Sequence, residues 1–137
     1  MKLSELLKDI DVLTFAAPSE CEIGGVSYDS RKVNPGDVFV AISGFETDGY
    51  KYIPSAVENG AAVVISDRVP QVDIPYVLVH DCRKALALLS RNFFGDPAGA
   101  MQIIGITGTN GKTTTTYLLK HLLEDTLGAK VGLIGTN

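Results

Sequence analysis

Leu3, Leu6, Leu7 and Ile10 recur at helical spacing, so a short amphipathic helix is predicted over residues 3–10. Residues 23–28 read as a strand, and Asn34-Pro35-Gly36-Asp37 is a turn signal. Residues 38–42, Val-Phe-Val-Ala-Ile, are apolar at every position, as a strand covered on both faces requires. A polar loop follows over residues 44–49. Residues 54–59 are predicted helical, with Pro54 near the start and Gly60 placed to end the helix. Residues 62–65 and 76–79 are two further buried strands, separated by a loop that Pro70 and Pro75 mark. Asp81 is a good cap for a helix running to about Phe94, whose inner face carries Ala85, Leu86, Leu89 and Phe93.

The clearest break in the chain is Gly95-Asp96-Pro97-Ala98-Gly99-Ala100. A domain boundary is expected there, giving a first domain over residues 1–98 and a second beginning at 99 and running to 137. Beyond it the pattern restarts. Residues 101–107 are predicted as a strand, 108–111 as a tight loop and 112–126 as a helix with Leu118, Leu119, Leu122 and Leu123 facing inward. Residues 131–134 complete the unit as a strand, after a turn at Gly128. Strand, glycine-rich loop, helix and strand make a βαβ unit with parallel strands. Two strands and one helix cannot enclose a core, so the second domain is expected to be the truncated start of a larger one. The expected class is α/β, a small mixed-sheet domain followed by the first βαβ unit of a phosphate-loop domain.

Composition narrows the function. Of 137 residues, 45% are apolar and 20% charged, the balance of a packed globular chain rather than a disordered one. The net charge of −4 argues against a broad nucleic-acid face or an anionic membrane surface as partner. A local anion site is untouched by this, because backbone amides need no net positive charge. Cys21 and Cys82 are too few for a disulfide scaffold and read as small buried hydrophobes. No apolar run approaches membrane-spanning length, and Glu5, Lys8 and Asp9 interrupt the first ten residues, so neither membrane insertion nor a signal peptide is expected. The expected compartment is the cytoplasm, and the chain is expected to be a monomer.

The segment that carries chemistry is Gly105-Ile106-Thr107-Gly108-Thr109-Asn110-Gly111-Lys112-Thr113-Thr114. Gly-Lys-Thr after a strand and before a helix is a phosphate-loop arrangement. Gly108 and Gly111 let the backbone bend and bring its N–H groups to phosphate oxygens, and the following helix adds unpaired donors at its N-terminus. Lys112 can reach the β- and γ-phosphates, and the Thr113 hydroxyl can ligate Mg²⁺. Thr109, Asn110 and Thr114 complete the candidate ATP cradle. The strict phosphate-loop spacing wants glycine at 106, where this chain has isoleucine. A plain strand-to-helix turn would have little reason to be followed by four threonines, 113–116, which are poor helix formers. His80 and His121 have no visible metal or catalytic partners and read as structural.

At Thr107-Gly108-Thr109-Asn110-Gly111-Lys112-Thr113 the chain resembles the Mur ligase family, the ATP-dependent amide-forming enzymes of peptidoglycan synthesis, whose shifted glycine pattern matches this one. Val26-Ser27-Tyr28-Asp29-Ser30-Arg31, Pro35-Gly36-Asp37-Val38-Phe39-Val40-Ala41, Gly44, Asp48-Gly49 and Gly60-Ala61 look like the N-terminal domain of two of its members, which add the third peptide residue and the terminal D-alanyl-D-alanine. Asn110 and the threonine run resemble the former. The resemblance implies that the first domain holds the uridine diphosphate end of UDP-N-acetylmuramoyl-dipeptide through Tyr28, Ser30 and the loop residues Phe45, Glu46 and Thr47. Arg31 could meet a phosphate or stay ion-paired.

The chemistry so implied uses ATP and Mg²⁺ to convert a carboxylate into an acyl phosphate, which the amine of a diamino acid, meso-diaminopimelate or L-lysine, then displaces. Lys112, Thr113 and the loop amides would offset the moving charge. The remaining catalytic parts are expected beyond Asn137, so the 137 residues alone are expected to lack ligase activity. Two other readings stay open at this point: an unrelated phosphate-loop NTPase or kinase, and a stand-alone uridine-nucleotide-binding module.

Overall fold

Alternation inside wholly apolar strands sets the architecture. In Val38–Val40, successive side chains leave opposite faces of the sheet, so both faces must be covered. The computed structural model of the chain describes residues 1–44 and 48–135. In chain order its elements are α1 (Leu3–Leu6), β1 (Val12–Ala16), β2 (Val26–Ser27), β3 (Val38–Val40), α2 (Ile53–Glu58), β4 (Val63–Ser66), β5 (Tyr76–Val79), α3 (Cys82–Phe93) and α4 (Lys112–Leu127). Short 3₁₀ turns lie at Ser30–Lys32, Gly49–Tyr52 and Pro97–Ala100. The chain divides into two compact units, Met1–Ala100 and Met101–Asn137.

The first unit is built on a five-stranded mixed sheet of order β1-β5-β4-β3-β2. Strands β2, β3, β4 and β5 are mutually parallel, with Val26 opposite Val38, Val38 opposite Val63 and Val64 opposite Tyr76. Strand β1 runs antiparallel to β5 at the far edge, Val12 opposite Val79 and Ala16 opposite Tyr76, with an irregularity between Val12 and Thr14. On one face Val38, Val40, Val63, Ile65, Val77 and Val79 pack against Leu3 and Leu6 of α1 and Ala85 and Leu89 of α3. On the other, Phe39 and Val64 pack against Ile53 and Ala56 of α2. The result is three layers, helix–sheet–helix, with two cores.

Local chemistry fixes the helix ends. The Asp81 carboxylate accepts hydrogen bonds from the backbone N–H groups of Arg83 (2.8 Å) and Lys84 (3.0 Å), so it caps α3 as the sequence predicts. Ala85 and Leu89 are buried, with Leu86 and Phe93 packed alongside. Pro54 lies in the first turn of α2, and Gly60 follows that helix at φ +95°. Helix α1 ends earlier than its periodicity predicts, because the chain turns at Asp9, φ +64°. Asn92 of α3 holds that turn, donating to the carbonyls of Leu6 (2.9 Å) and Lys8 (2.7 Å), while Arg91 pairs with Asp9 at 2.7 Å. Cys82 is buried, which pushes its thiol up to about 11, and Cys21 is half-buried beside the same core.

Four expectations change. The strand predicted over 23–28 contracts to Val26–Ser27, since the preceding Gly24 N–H goes to the Gly36 carbonyl (3.0 Å) instead of a ladder partner. Strand β1, which the hydrophobic pattern leaves unassigned, has mostly exposed side chains because it is an edge. In the second unit, residues 101–107 and 131–134 join no ladder among the described residues, so the predicted βαβ unit is present only as α4 and its flanking segments. Two lone parallel strands would leave both edges unpaired and one face uncovered. For the same reason Leu118 (66% exposed) and Leu122 (58%) of α4 do not face a core, and Leu119 and Leu123 are only half-buried.

Leu89 is wholly buried between α3 and the sheet, so Leu89→Ala should cost about 3 kcal/mol. Leu118→Ala should change stability by less than about 0.5 kcal/mol. Urea unfolding followed by circular dichroism measures both; equal costs would contradict the burial described here.

Candidate functional site

All four parallel strands point the same way, so the segments that leave their carboxyl ends share one edge of the sheet. In open α/β sheets that edge is where ligands bind. After β2 come Tyr28 and the turn at Ser30–Lys32; after β3 the chain reaches Ser43 and returns at Asp48; after β4 come Asp67 and Arg68. Because β2 neighbours β3, the topology sets the Tyr28–Lys32 segment beside the one that follows β3.

Asp29 organises the first of these segments. Its carboxylate accepts from the Arg31 backbone N–H (3.1 Å) and, as a two-point pair, from Arg31 Nε (2.9 Å) and Nη2 (2.8 Å). The Arg31 hydrogen bond and charge pull the Asp29 carboxyl down to about 2, and Asp29 raises Arg31 in turn. Of the two roles open to Arg31, the geometry displays the ion pair. Ser30 is 6% exposed, and its carbonyl accepts from Asn59 Nδ2 at 2.9 Å. Tyr28 is 67% exposed and borders a cleft of about 350 Å³ beside β2, together with Lys32 and Phe94. Phe45, Glu46 and Thr47 lie outside the described residues.

In the second unit, Gly111 caps α4 at φ +75°, a left-handed conformation that costs an L-residue about 1 kcal/mol or more. Glycine has no side chain to close the helix end, so the N–H groups of the first turn keep no side-chain cap. Gly108 sits at φ +153°, and Lys112 Nζ folds back over the loop to donate to the Gly108 carbonyl at 2.6 Å. Thr109, Asn110, Thr113 and Thr114 are all exposed around this turn, and Thr116 Oγ1 donates to the Thr113 carbonyl at 2.7 Å. Free first-turn donors, the positive helix end and one ammonium form a donor set that fits a phosphate chain. Among the described residues no three or more His, Cys, Asp or Glu side chains gather as a metal cage. The Thr113 hydroxyl is the side-chain oxygen next to Lys112 that a divalent ion could take.

Family models agree with both halves of this description. The model of the Mur ligase family, catalytic domain, matches residues 22–94, more than half of the chain, and that of the Mur ligase middle domain matches residues 106–137. The chain belongs to the Mur ligase family. Over 99% of its length it is 43% identical to a UDP-N-acetylmuramoyl-L-alanyl-D-glutamate–2,6-diaminopimelate ligase of Clostridium tetani and 46% identical to that of Clostridium botulinum. It spans 29% of the length of each. A solved structure of a ligase with the same name matches with TM-score 0.68 at 27% identity, over 93% of this chain and 26% of that one. A MurF ligase from Thermotoga maritima in complex with ADP matches with TM-score 0.58 at 36% identity, over 74% of this chain and 23% of that one.

The family match excludes the reading as an unrelated phosphate-loop NTPase. Within this Mur ligase chain, sequence reasoning assigns no partner to Ser43, Asn59, Asp67 or Arg68 and marks Asp48 only as part of the family resemblance; these polar residues lie far apart in sequence. Nothing in their spacing signals that β3 and β4 bring Ser43, Asp48, Asp67 and Arg68 to the sheet's carboxyl edge, or that Asn59, at the end of α2, reaches the Ser30 carbonyl. No described helix is long and apolar enough to cross a membrane.

Because the folded Asp29 carboxyl titrates at about 2 rather than the ordinary 3.8, its pair with Arg31 stabilises the first unit above about pH 4 and is lost as the pH falls through about 2. Carboxyl carbon NMR shifts should show that low midpoint. Arg31→Gln should raise it only part of the way towards the ordinary 3.8, since the backbone N–H of residue 31 still donates to Asp29; a midpoint unmoved by the substitution would remove the Arg31 side chain as a cause.

Proposed function

We propose that this chain is part of an ATP-dependent ligase that adds a diamino acid to UDP-N-acetylmuramoyl-L-alanyl-D-glutamate in the cytoplasm. The observation that carries this reading is identity of 43–46% across 99% of the chain, first unit included, to the two clostridial relatives named above. Their names favour 2,6-diaminopimelate over L-lysine as the amino acid. MurF neighbours share the fold, but the run Asn110-Gly111-Lys112 followed by four threonines favours the enzyme for the third residue.

In this reading the first domain, residues 1–98, holds the uridine diphosphate end. Tyr28, Ser30, Phe45, Glu46 and Thr47 are its proposed contacts, of which Tyr28 and Ser30 follow β2. The hydrogen bond from Asn59 and the buried setting of Ser30 support a rigid contact there. The second domain, from residue 99, holds ATP through Gly108, Thr109, Asn110, Gly111, Lys112, Thr113 and Thr114. Lys112 and the first-turn N–H groups meet the charge that moves between phosphates, which lowers the barrier by electrostatics and positioning. Thr113 would hold Mg²⁺, which would supply charge neutralisation at the phosphates.

Lys112→Ala should weaken ATP binding by about tenfold or more, the cost of one charge-assisted contact to phosphate. In a backbone-amide NMR titration, Mg²⁺-ATP should shift residues 108–114. UDP-N-acetylmuramoyl-dipeptide should instead shift residues 28–31 and 45–47. Shifts with ATP alone would reduce the reading to an ATP-binding Mur-type chain with its substrate unassigned. Uridine-ligand shifts confined to other residues would overturn the proposed contacts.

A further inference from the structure

The chain leaves β3, reaches Ser43 and returns to pair with it at Asp48 through an isolated antiparallel bridge. Both Ser43 and Asp48 are held from the end of β4. Ser43 Oγ lies within donating distance of Asp67 Oδ2 (3.2 Å) and Asp48 Oδ1 (3.4 Å). Arg68 Nη2 donates to Asp48 Oδ2 at 2.6 Å, and its Nε donates to Asp67 Oδ1 at 3.3 Å. The same guanidinium lies 4.6 Å from the centre of the Tyr50 ring, and the Tyr50 hydroxyl donates to the Val69 carbonyl at 2.6 Å. One planar cation thus joins a carboxylate on the turn, a carboxylate on β4's exit and an aromatic face.

The backbone at the returning stem has little freedom. Gly49 N–H donates to the Ile42 carbonyl at 2.9 Å, and a Cβ on Gly49 would stand 2.5 Å from that oxygen. Asp48 also accepts from the Tyr50 N–H at 3.1 Å, which holds its carboxyl below the usual range and keeps it ionised for Arg68. Yet the pair is poorly placed to stabilise the fold, since Arg68 and Asp48 side chains are 50% and 33% exposed. Half-exposed pairs contribute little to stability. What this network fixes is where Ser43 and Asp48 sit.

We propose that Arg68 is a positioning residue for substrate binding: it fixes Ser43 and Asp48, and so sets the affinity of the adjoining carboxyl edge for a uridine diphosphate ligand without touching that ligand. The identity of the ligand rests on the function proposed above; the positioning rests on the network alone. Because Arg68 acts through Asp48, removing either side chain should have one and the same effect.

Calorimetric titration of the chain with UDP-N-acetylmuramoyl-L-alanyl-D-glutamate tests this, using Arg68→Gln, Asp48→Asn, the double variant and Arg68→Lys. Each of the two single neutralising variants should bind about tenfold more weakly, and the double variant no more weakly than either. Arg68→Lys keeps the charge but loses the two-carboxylate fork, so its affinity should lie between wild type and Arg68→Gln. A purely stabilising role would move the unfolding midpoint and leave binding to the folded chain unchanged. Wild-type affinity in Arg68→Gln, or additive losses in the double variant, would overturn the proposal. Tighter binding by Asp48→Asn would overturn it too, since Arg68 freed from Asp48 would then be meeting the ligand directly. No binding by the wild-type chain would instead sink the uridine reading, and the proposal with it.

Discussion

The structure of the first unit depends on strands that are apolar on both faces. A parallel sheet cannot leave one face in water, because each crossover returns over a face and must be packed against it. Val38, Val40, Val63 and Ile65 go to the α1–α3 layer and Phe39 and Val64 to the α2 layer, so neither helix layer can shift without opening a core. That constraint makes the carboxyl edge of β2, β3 and β4 a fixed platform. The polar segments leaving it inherit their positions from the buried alternation below.

The two units differ in how they bring their polar groups together. In the second, the donors are backbone N–H groups of one short turn and the first turn of α4, together with a lysine next to the capping glycine. Such a cradle is assembled from neighbours in sequence and needs no core beneath it to be recognisable. In the first unit, the polar groups come from four separate segments, and their relation exists only once the strands have paired. Arg31 stays near its partner Asp29, whereas Arg68 reaches across to Asp48 on the segment that follows β3.

Membership in the Mur ligase family ties these halves together, since separate family models match each of them. The first unit has a complete two-sided core, while Leu118, Leu122 and Leu127 of α4 stand exposed. The chain spans under a third of its curated relatives, 29% of the two clostridial enzymes.

Local signals are those that the sequence by itself determined. Asp81 as a cap, Pro54 and Gly60 around α2, the inner face of α3, the buried strands β3, β4 and β5, and the glycine–lysine–threonine turn all follow from residues within a few positions of each other. Their physics is short-range: a side-chain oxygen reaching an N–H three residues on, or a fixed repeat of apolar side chains. Only the tertiary structure decided what has no local sign. Strand β1 is a strand because β5 offers it a ladder, not because its exposed side chains demand one. Residues 101–107 and 131–134 carry a strand pattern without a ladder, because among the described residues no neighbour supplies the missing hydrogen bonds. Arg68, Asp48 and Ser43 meet for a similar reason: the parallel pairing of β3 with β4 sets their distance, and charge spacing along the chain does not encode it.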